Sequence, residues 1–396
     1  MRAELKTARW ALIATLIVGV ISLLSYLRGS IPIVQGWGEY FWFLTYSNGF
    51  IKRGLVGTLF QSLFGGADHA KQMAEVLRLH LLASMALTLG LLAWLYHCIR
   101  KNTIAAARLS LVTTFLVFAT SQFLPTVAYN TGYLDVYLYC LFVAAAWLVA
   151  QNSFLGASAI GLIGPFIHED FIFLWASIVV IVFWIGRRSA AVSLAAIGIL
   201  ATGTIVLLSS VPAEVAQTQS LPIPADMRSA LVNQLFRQSV AGAFLVMVHH
   251  FQYYWRNFFI AIAFFGLAPF TMIGTYAIAR FRRFTDIAFL CLATVAPLLV
   301  LTVAWDLSRF IVQTALSGIT AILVIETCRS NWQVRPAPGV LRFAILVAVI
   351  GALLPPVYAY FEFASVVGSP PFSVTPPPIA KLVDVLIRSR YDSPPK

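Results

Sequence analysis

Apolar residues in this sequence come in long unbroken stretches rather than at a helical or strand period. Such stretches lie near 10–27, 79–99, 109–124, 133–151, 154–167, 171–186, 190–209, 257–279, 287–305, 310–327 and 340–361, with most charged residues gathered between them. A helix of about 20 apolar residues spans the hydrocarbon core of a bilayer, so the pattern predicts an all-α polytopic integral membrane protein with about 11 transmembrane helices. The stretch 154–167 is the shortest. As a helix it would rise roughly 21 Å, short of the ~30 Å core, so 154–186 reads either as a full hairpin or as a re-entrant pair.

The chain divides on this pattern into a membrane domain over 1–363 and a proline-rich tail over 364–396. Two connections, 28–78 and 210–256, are too long to be simple turns. The first carries Trp37, Tyr40, Phe41, Trp42, Phe43, Tyr46 and Phe50, then an apolar stretch from Leu55 to Phe64. Both pieces are too short and too interrupted by glycine and charge to span. Helices lying in the outer interface fit them, because Trp and Tyr favour the headgroup level. In the tail, Pro370, Pro371 and Pro376 to Pro378 predict an extended connector, followed by a short amphipathic helix over Ile379 to Ile387. No internal repeat of the inverted-repeat transporter kind is visible.

Hydrophobic residues make up 60% of the 396 and charged residues 11%, against roughly 25% charged in a soluble domain. That excludes a soluble enzyme and a disordered chain. The 27 basic against 15 acidic residues leave a net charge of +12, but the basic residues sit in small clusters between apolar stretches. They read as topology signals, and nucleic acid is not an expected partner. With the amino terminus inside, the inside segments hold Arg2, Lys6, Arg9, Arg100, Lys101, Arg108, Arg187, Arg188, Arg280, Arg282, Arg283, Arg329, Arg335 and Arg342, against the acids Glu4, Asp286 and Glu326. Every short inside connection except Gln151-Asn152 then carries basic residues, as the positive-inside rule requires. Eleven crossings from an inside start leave the carboxyl terminus outside. The start MRAELKTAR has the basic character of a signal peptide, but the apolar stretch after it is long for one and SYLRGSIP offers no clear cleavage site. An uncleaved first span is expected. Cys98, Cys140, Cys291 and Cys328 lie in apolar stretches or beside basic clusters, none on the outside, so no disulfide is expected.

On this topology nearly all acids collect outside or at outer span ends. The polar groups capable of chemistry cluster there: Glu39; Lys52 and Arg53 in YSNGFIKRGLVG; Tyr129, Asn130 and Asp135 in YNTGYLD; His168, Glu169 and Asp170 in GPFIHED; Asp306 and Arg309 in WDLSRF. An ionisable group at membrane depth costs about 2.5–3.5 kcal/mol on insertion scales, so it usually faces a cavity or a partner. Asp135, in the first turn of span four, either faces such a cavity or complements the helix dipole. In IHED at least one ionisable group must point inward along the hairpin, with His168 as proton relay or Glu169 as base. The alternative is a hydrated tip with Glu169 or Asp170 capping the next helix. Consecutive residues diverge by about 100° on a regular helix and the run is not HExxH, so no metal is assigned and no cofactor is expected. Asp306 and Arg309 are close enough in sequence to pair on a helix, or Arg309 presents its fork to a phosphate. Lys52 and Arg53, before Gly54 and Gly57, read as a specific phosphate site in preference to a general lipid anchor. Glu39 is either a solvated interfacial carboxylate or a base whose aromatic neighbours could stack on a sugar. Nucleophile elbows, Walker loops and CxxC pairs are absent.

The many spans, the cytoplasmic start, the long first outer loop with a carboxylate and two interfacial helices, and the second large outer loop together resemble the C-type glycosyltransferase superfamily. The phrases GFIKRGLVG, GYLD, FIHED and WDLSRF are similar to those of bacterial inner-membrane proteins of surface-polysaccharide loci. The topological likeness covers most of the chain. It implies transfer of a sugar from a polyprenyl-phosphate donor to an acceptor glycan or lipid on the outer side of the bacterial inner membrane, among membrane lipids. It implies further that a carboxylate of the first outer loop acts as base or orients the acceptor, a role that falls on Glu39, with Asp68 as the fallback. The family's residue is usually an aspartate beside a second acid, and Glu39 has no acidic neighbour. Basic residues near the outer face hold the donor phosphate, which position gives to Arg53 and Arg309 with Lys52 in support. The candidate catalytic residues are therefore Glu39, Asp135 and Glu169. The candidate substrate-binding residues are Lys52, Arg53, Tyr129, Asn130, His168, Asp170, Asp306 and Arg309. A lipid phosphate is already a good leaving group, so a base and cations suffice without a nucleotide site. Three other readings stand beside this one: a surface-polysaccharide polymerase using lipid-diphosphate substrates, a noncatalytic membrane assembly protein, and a transporter. The gathering of ionisable groups in the outer half counts against the transporter.

Overall fold

The computed structural model describes residues 2–30, 34, 36–48, 50–51, 53–209, 262–302, 307–328, 338–354, 357–359 and 364–366, with isolated positions between 215 and 259. In chain order the helices are α1 (Arg2–Gly29), α2 (Gly36–Tyr40), α3 (Gly54–Phe64), α4 (His69–Lys101), α5 (Ala105–Thr120), α6 (Phe123–Tyr129) and α7 (Asp135–Ala150). They continue with α8 (Phe154–Ile167), α9 (Phe171–Trp184), α10 (Arg188–Leu208), α11 (Leu267–Arg280), α12 (Phe284–Val295), α13 (Leu307–Cys328) and α14 (Pro338–Leu353). A π-helical turn, Ile262–Gly266, leads into α11, and a 3-10 stretch, Ala296–Thr302, prolongs α12.

Among the described residues, six helices are long and apolar enough to cross a membrane: Thr7–Gly29, His69–Lys101, Ala105–Tyr129, Arg188–Leu208, Phe284–Leu301 and Arg309–Cys328. This is a helical membrane protein. Within the other five expected stretches lie shorter apolar helices, Asp135–Ala150, Phe154–Ile167, Phe171–Trp184, Leu267–Ile278 and Arg342–Leu353, the last two covering about half of 257–279 and 340–361. Their ends have local causes. After α7, Asn152 takes a left-handed backbone (φ 59°) and Ser153 N–H donates to the Leu148 carbonyl at 2.8 Å, a Schellman stop. Gly186 (φ 88°) ends α9 the same way, with Arg187 N–H on the Val182 carbonyl at 3.1 Å.

The expectation of one apolar span over 340–361 is corrected: α14 ends at Leu353, and a short strand, β1 (Val357–Ala359), pairs antiparallel with β2 (Ala364–Val366). Pro355-Pro356 explains the stop, because proline cannot donate into a helix and disfavours helical backbone before it. The all-α expectation thus has one exception among the described residues. The stretch Ile379 to Ile387 and most of 210–256 lie outside the described residues.

The chain forms two compact units, one of Met1–Ser30, Leu91–Tyr129 and Phe244–Lys396, the other of Ile31–Gly90 and Asn130–Ala243. In the first unit, 94% of the span within Arg309–Cys328 and 89% of that within Ala105–Tyr129 are buried, against 28% for Thr7–Gly29. The outer helix α1 turns Leu12, Ile13, Leu16, Ile17 and Val20 outward, and Ala11, Ala14, Val18, Ser22 and Ser25 inward. Large apolar residues outside and small ones at the helix contacts suit a lipid surrounding.

Polar contacts sort the helix ends of this unit. Arg108 Nη1 donates to Thr7 Oγ1 at 3.2 Å and its Nε to the Asn102 carbonyl at 2.6 Å, while Asn102 Nδ2 donates to Glu326 Oε2 at 3.0 Å. Lys101 Nζ donates to the Thr327 carbonyl at 2.5 Å. These bring together the starts of α1 and α5 and the ends of α4 and α13. At the far end of α1, Arg28 donates to the carbonyls of Gly351 and Leu354, a cation on the carboxyl-terminal end of α14.

In the second unit α7, α8, α9 and α10 pack on one another and α3 packs on α8. Trp175 of α9 is buried against Gly161 of α8 and Gly198 of α10, and its Nε1 donates to the Leu194 carbonyl at 2.8 Å. At one end Arg187 Nη2 donates to Asn152 Oδ1 at 3.3 Å, joining the α7–α8 and α9–α10 turns. The turn 168–170 between α8 and α9 and the start of α7 lie at the other end, and the candidate residues are there.

Candidate functional site

The site in the second unit stands on an aromatic platform built mainly by the segment 38–48. Tyr40, Phe41, Trp42, Leu44 and Ile51 share one buried core with Phe60, Val76, Tyr133 and Leu134. Two glycines permit the close approach. Gly132 holds φ 95°, a backbone that side chains disfavour, and its carbonyl accepts from Trp42 Nε1 at 2.7 Å. A β-carbon on Gly38 would stand 2.8 Å from the Gly132 carbonyl carbon and from Tyr133 N. Phe41 is the centre of the platform: its ring meets Tyr133 and His168 edge-on at 6.0 Å, and the Arg53 guanidinium lies over it at 5.1 Å.

Arg53 is the N-cap of α3 and takes a left-handed backbone, φ 62°, ψ 9°. From there its Nε donates to Glu169 Oε2 at 2.9 Å and its Nη2 to Oε1 at 2.5 Å. The pair is nearly enclosed, with side chains 11% and 21% exposed. Burial alone would raise the Glu169 carboxyl, but the charges of Arg53 and His168 outweigh it and hold the group well below the usual carboxylate range. A carboxylate held so firmly as an anion is a weak general base.

His168 is buried and accepts the Asp170 N–H at Nδ1, 3.2 Å. Burial, then the Arg53 charge, push its imidazole down toward the neutral form against the pull of Asp170, Glu169 and Asp135. Asp135, the buried first residue of α7, therefore belongs to the same charged cluster. The divergence of adjacent residues applies to a regular helix, and 168–170 form a turn instead. His168, Glu169 and Asp170 each offer a ligand atom within 4.8 Å of the others. Among the described residues this is the set that could hold a metal, and Arg53 already places a cation on Glu169.

Glu39 is held differently. Its Oε1 lies 2.7 Å from His69 Nε2, with side chains 20% and 46% exposed, and the His69 ring meets Phe43 edge-on at 5.7 Å. Burial raises the Glu39 carboxyl above its ordinary value and the His69 imidazole opposes that shift. Asp68 caps α4: its Oδ1 accepts the Lys71 N–H at 2.9 Å, and its Oδ2 lies 3.3 Å from Lys71 Nζ. Those contacts lower its carboxyl and give it a structural role.

The structure thus joins Arg53, Asp135, His168, Glu169 and Asp170 in one cluster and sets Glu39 with His69. Asn130 is buried, with no hydrogen-bond partner for Oδ1 among the described residues. Tyr129 ends α6 in the first unit. Arg309 is buried in that unit too, its guanidinium 5.5 Å from the Phe310 ring centre. Lys52 and Asp306 lie outside the described residues. Sequence reasoning missed His69, whose only local signal is a place just after a helix-capping aspartate, and it treated Phe41 as one aromatic among several. No family model, no curated protein and no solved structure matches this chain.

Proposed function

We propose that this protein is a membrane glycosyltransferase that moves a sugar from a polyprenyl-phosphate donor to an extracytoplasmic glycan or lipid acceptor, in a bacterial inner membrane. One observation carries the reading: a single aromatic core mounts both a carboxylate of raised proton affinity, Glu39, and an arginine fork, Arg53. Transfer with inversion at an anomeric carbon needs those two functions. Glu39 takes the proton of the acceptor hydroxyl as its oxygen bonds to the anomeric carbon, and Arg53 stabilises the charge on the departing lipid phosphate. Asp135, His168 and Asp170 fix the electrostatics around Arg53 and Glu169.

The proposal includes about eleven crossings with the amino terminus inside. Its support is that residues assigned to one side meet one another within each unit, as in Thr7 with Arg108, Lys101 with Thr327 and Asn152 with Arg187. The test is turnover of labelled polyprenyl-phosphate sugars by the purified protein in lipid discs. Release of polyprenyl phosphate that fails in both Glu39→Gln and Arg53→Ala supports the reading, and release that persists in both contradicts it.

A further inference from the structure

We infer that Glu169 sits in the seat of a phosphate: the Arg53 guanidinium is a two-point anion receptor for which Glu169 and a phosphate-bearing ligand compete. The inference rests on the reading of Arg53 as phosphate anchor and adds what occupies that anchor in the ligand-free protein.

Its basis is the asymmetry between the partners. Both Arg53 nitrogens that reach Glu169 do so in the fork geometry that a phosphate also accepts, Nε at 2.9 Å and Nη2 at 2.5 Å. Arg53 is held without Glu169's help. Its backbone is fixed at φ 62° where α3 begins, and its guanidinium rests on the Phe41 ring. A left-handed backbone at a residue with a β-carbon persists only where the surroundings impose it, and such strain gathers at functional positions. Glu169 lies in a turn between two helices and is the more exposed of the two, so it is the partner able to swing aside. A phosphate monoester, the leaving group of the proposed transfer, brings more charge and a further acceptor oxygen than a carboxylate, which favours exchange. The anionic neighbours Asp135 and Asp170 oppose it, so removal of the Glu169 charge is the change that uncovers the receptor.

The experiment titrates wild type, Glu169→Gln, Arg53→Ala and the double variant, in discs of zwitterionic lipid, with a short-chain isoprenyl phosphate. Parallel arms use inorganic phosphate and discs containing phosphatidylglycerol, and tell a lipid-borne phosphate from a free one. The expected result is isoprenyl-phosphate binding about tenfold tighter in Glu169→Gln than in wild type, the effect of losing one competing charge-assisted contact. The gain disappears in the double variant. Glu169→Asp keeps the charge but shortens the reach, and shows a smaller gain of the same sign, which keeps the test alive if the glutamine variant does not fold. A folded Glu169→Gln that binds no more tightly in any arm, or a gain that survives Arg53→Ala, overturns the inference. Donor turnover by wild type without such a gain defeats the inference alone. A gain without turnover in any variant defeats the glycosyltransferase reading alone.

Discussion

His69 Nε2 lies 2.7 Å from Glu39 Oε1, so the first residue of α4 backs the carboxylate that opens the aromatic platform. Burial raises the Glu39 carboxyl and the imidazole pulls it part of the way back. Each contribution has its own consequence for a base. A group that must be ionised to accept a proton loses its activity as pH falls through its folded value, and here that value stands above an ordinary glutamate's.

Replacing His69 by phenylalanine keeps an aromatic ring beside Phe43 and removes the opposing charge. The acid limb of the kcat/KM profile then moves to higher pH, while the plateau above it changes little. An acid limb that stays in place, or moves down, contradicts the assignment. Glu39→Gln removes the base, with a loss on the order of 10²-fold or more in kcat.

Glu326 in α13 accepts from Asn102 Nδ2 at 3.0 Å, from Arg280 Nε at 3.2 Å and from the Tyr276 hydroxyl, with its side chain wholly buried. Glu326→Ala leaves the Arg280 guanidinium in the interior without that carboxylate, a loss of about 3–5 kcal/mol. Glu326→Gln retains an acceptor for Tyr276 and Asn102 and costs less. Thermal unfolding in lipid discs ranks the two, and a Glu326→Ala protein that melts with wild type contradicts the account.

Two glycines make opposite predictions. A β-carbon at Gly57 runs into the Leu44 carbonyl oxygen, so Gly57→Ala shifts the platform and destabilises by about 1–3 kcal/mol. Gly90, inside α4, has open space where its β-carbon would stand, so Gly90→Ala is neutral or stabilises by up to about 1 kcal/mol. Unfolding midpoints of equal sign for the two would show that the close approach at Leu44 is misplaced.

Arg28 at the end of α1 reaches the last carbonyls of α14. The chain therefore leaves α14 on the side at which it leaves α1. A topology reporter joined after Lys396 is expected to be active outside the cytoplasm, and activity confined to the cytoplasm refutes the eleven-crossing topology.

The long apolar helices were legible because lipid selects composition, and long apolar stretches survive any detail of packing. Their ends were less so: the stretch 340–361 reads as one span by hydropathy, yet Pro355-Pro356 stops the helix at Leu353. Arg53 and the FIHED phrase were visible as candidates, but their pairing was not, since no sequence rule connects an N-cap to a turn 116 residues away. The role of Asp68 had a local sign, an acid before a helix with a free N–H three residues on. His69 had only its place after that aspartate, because its function lies in a contact with a residue on another element.

The most direct test of the central claim is release of labelled polyprenyl phosphate from a panel of polyprenyl-phosphate sugars, compared between wild type and Glu39→Gln in lipid discs. The account predicts release by wild type for at least one sugar and a loss on the order of 10²-fold or more in the variant with binding of the donor retained. Equal release by a folded Glu39→Gln protein, or none by wild type across the panel, contradicts it.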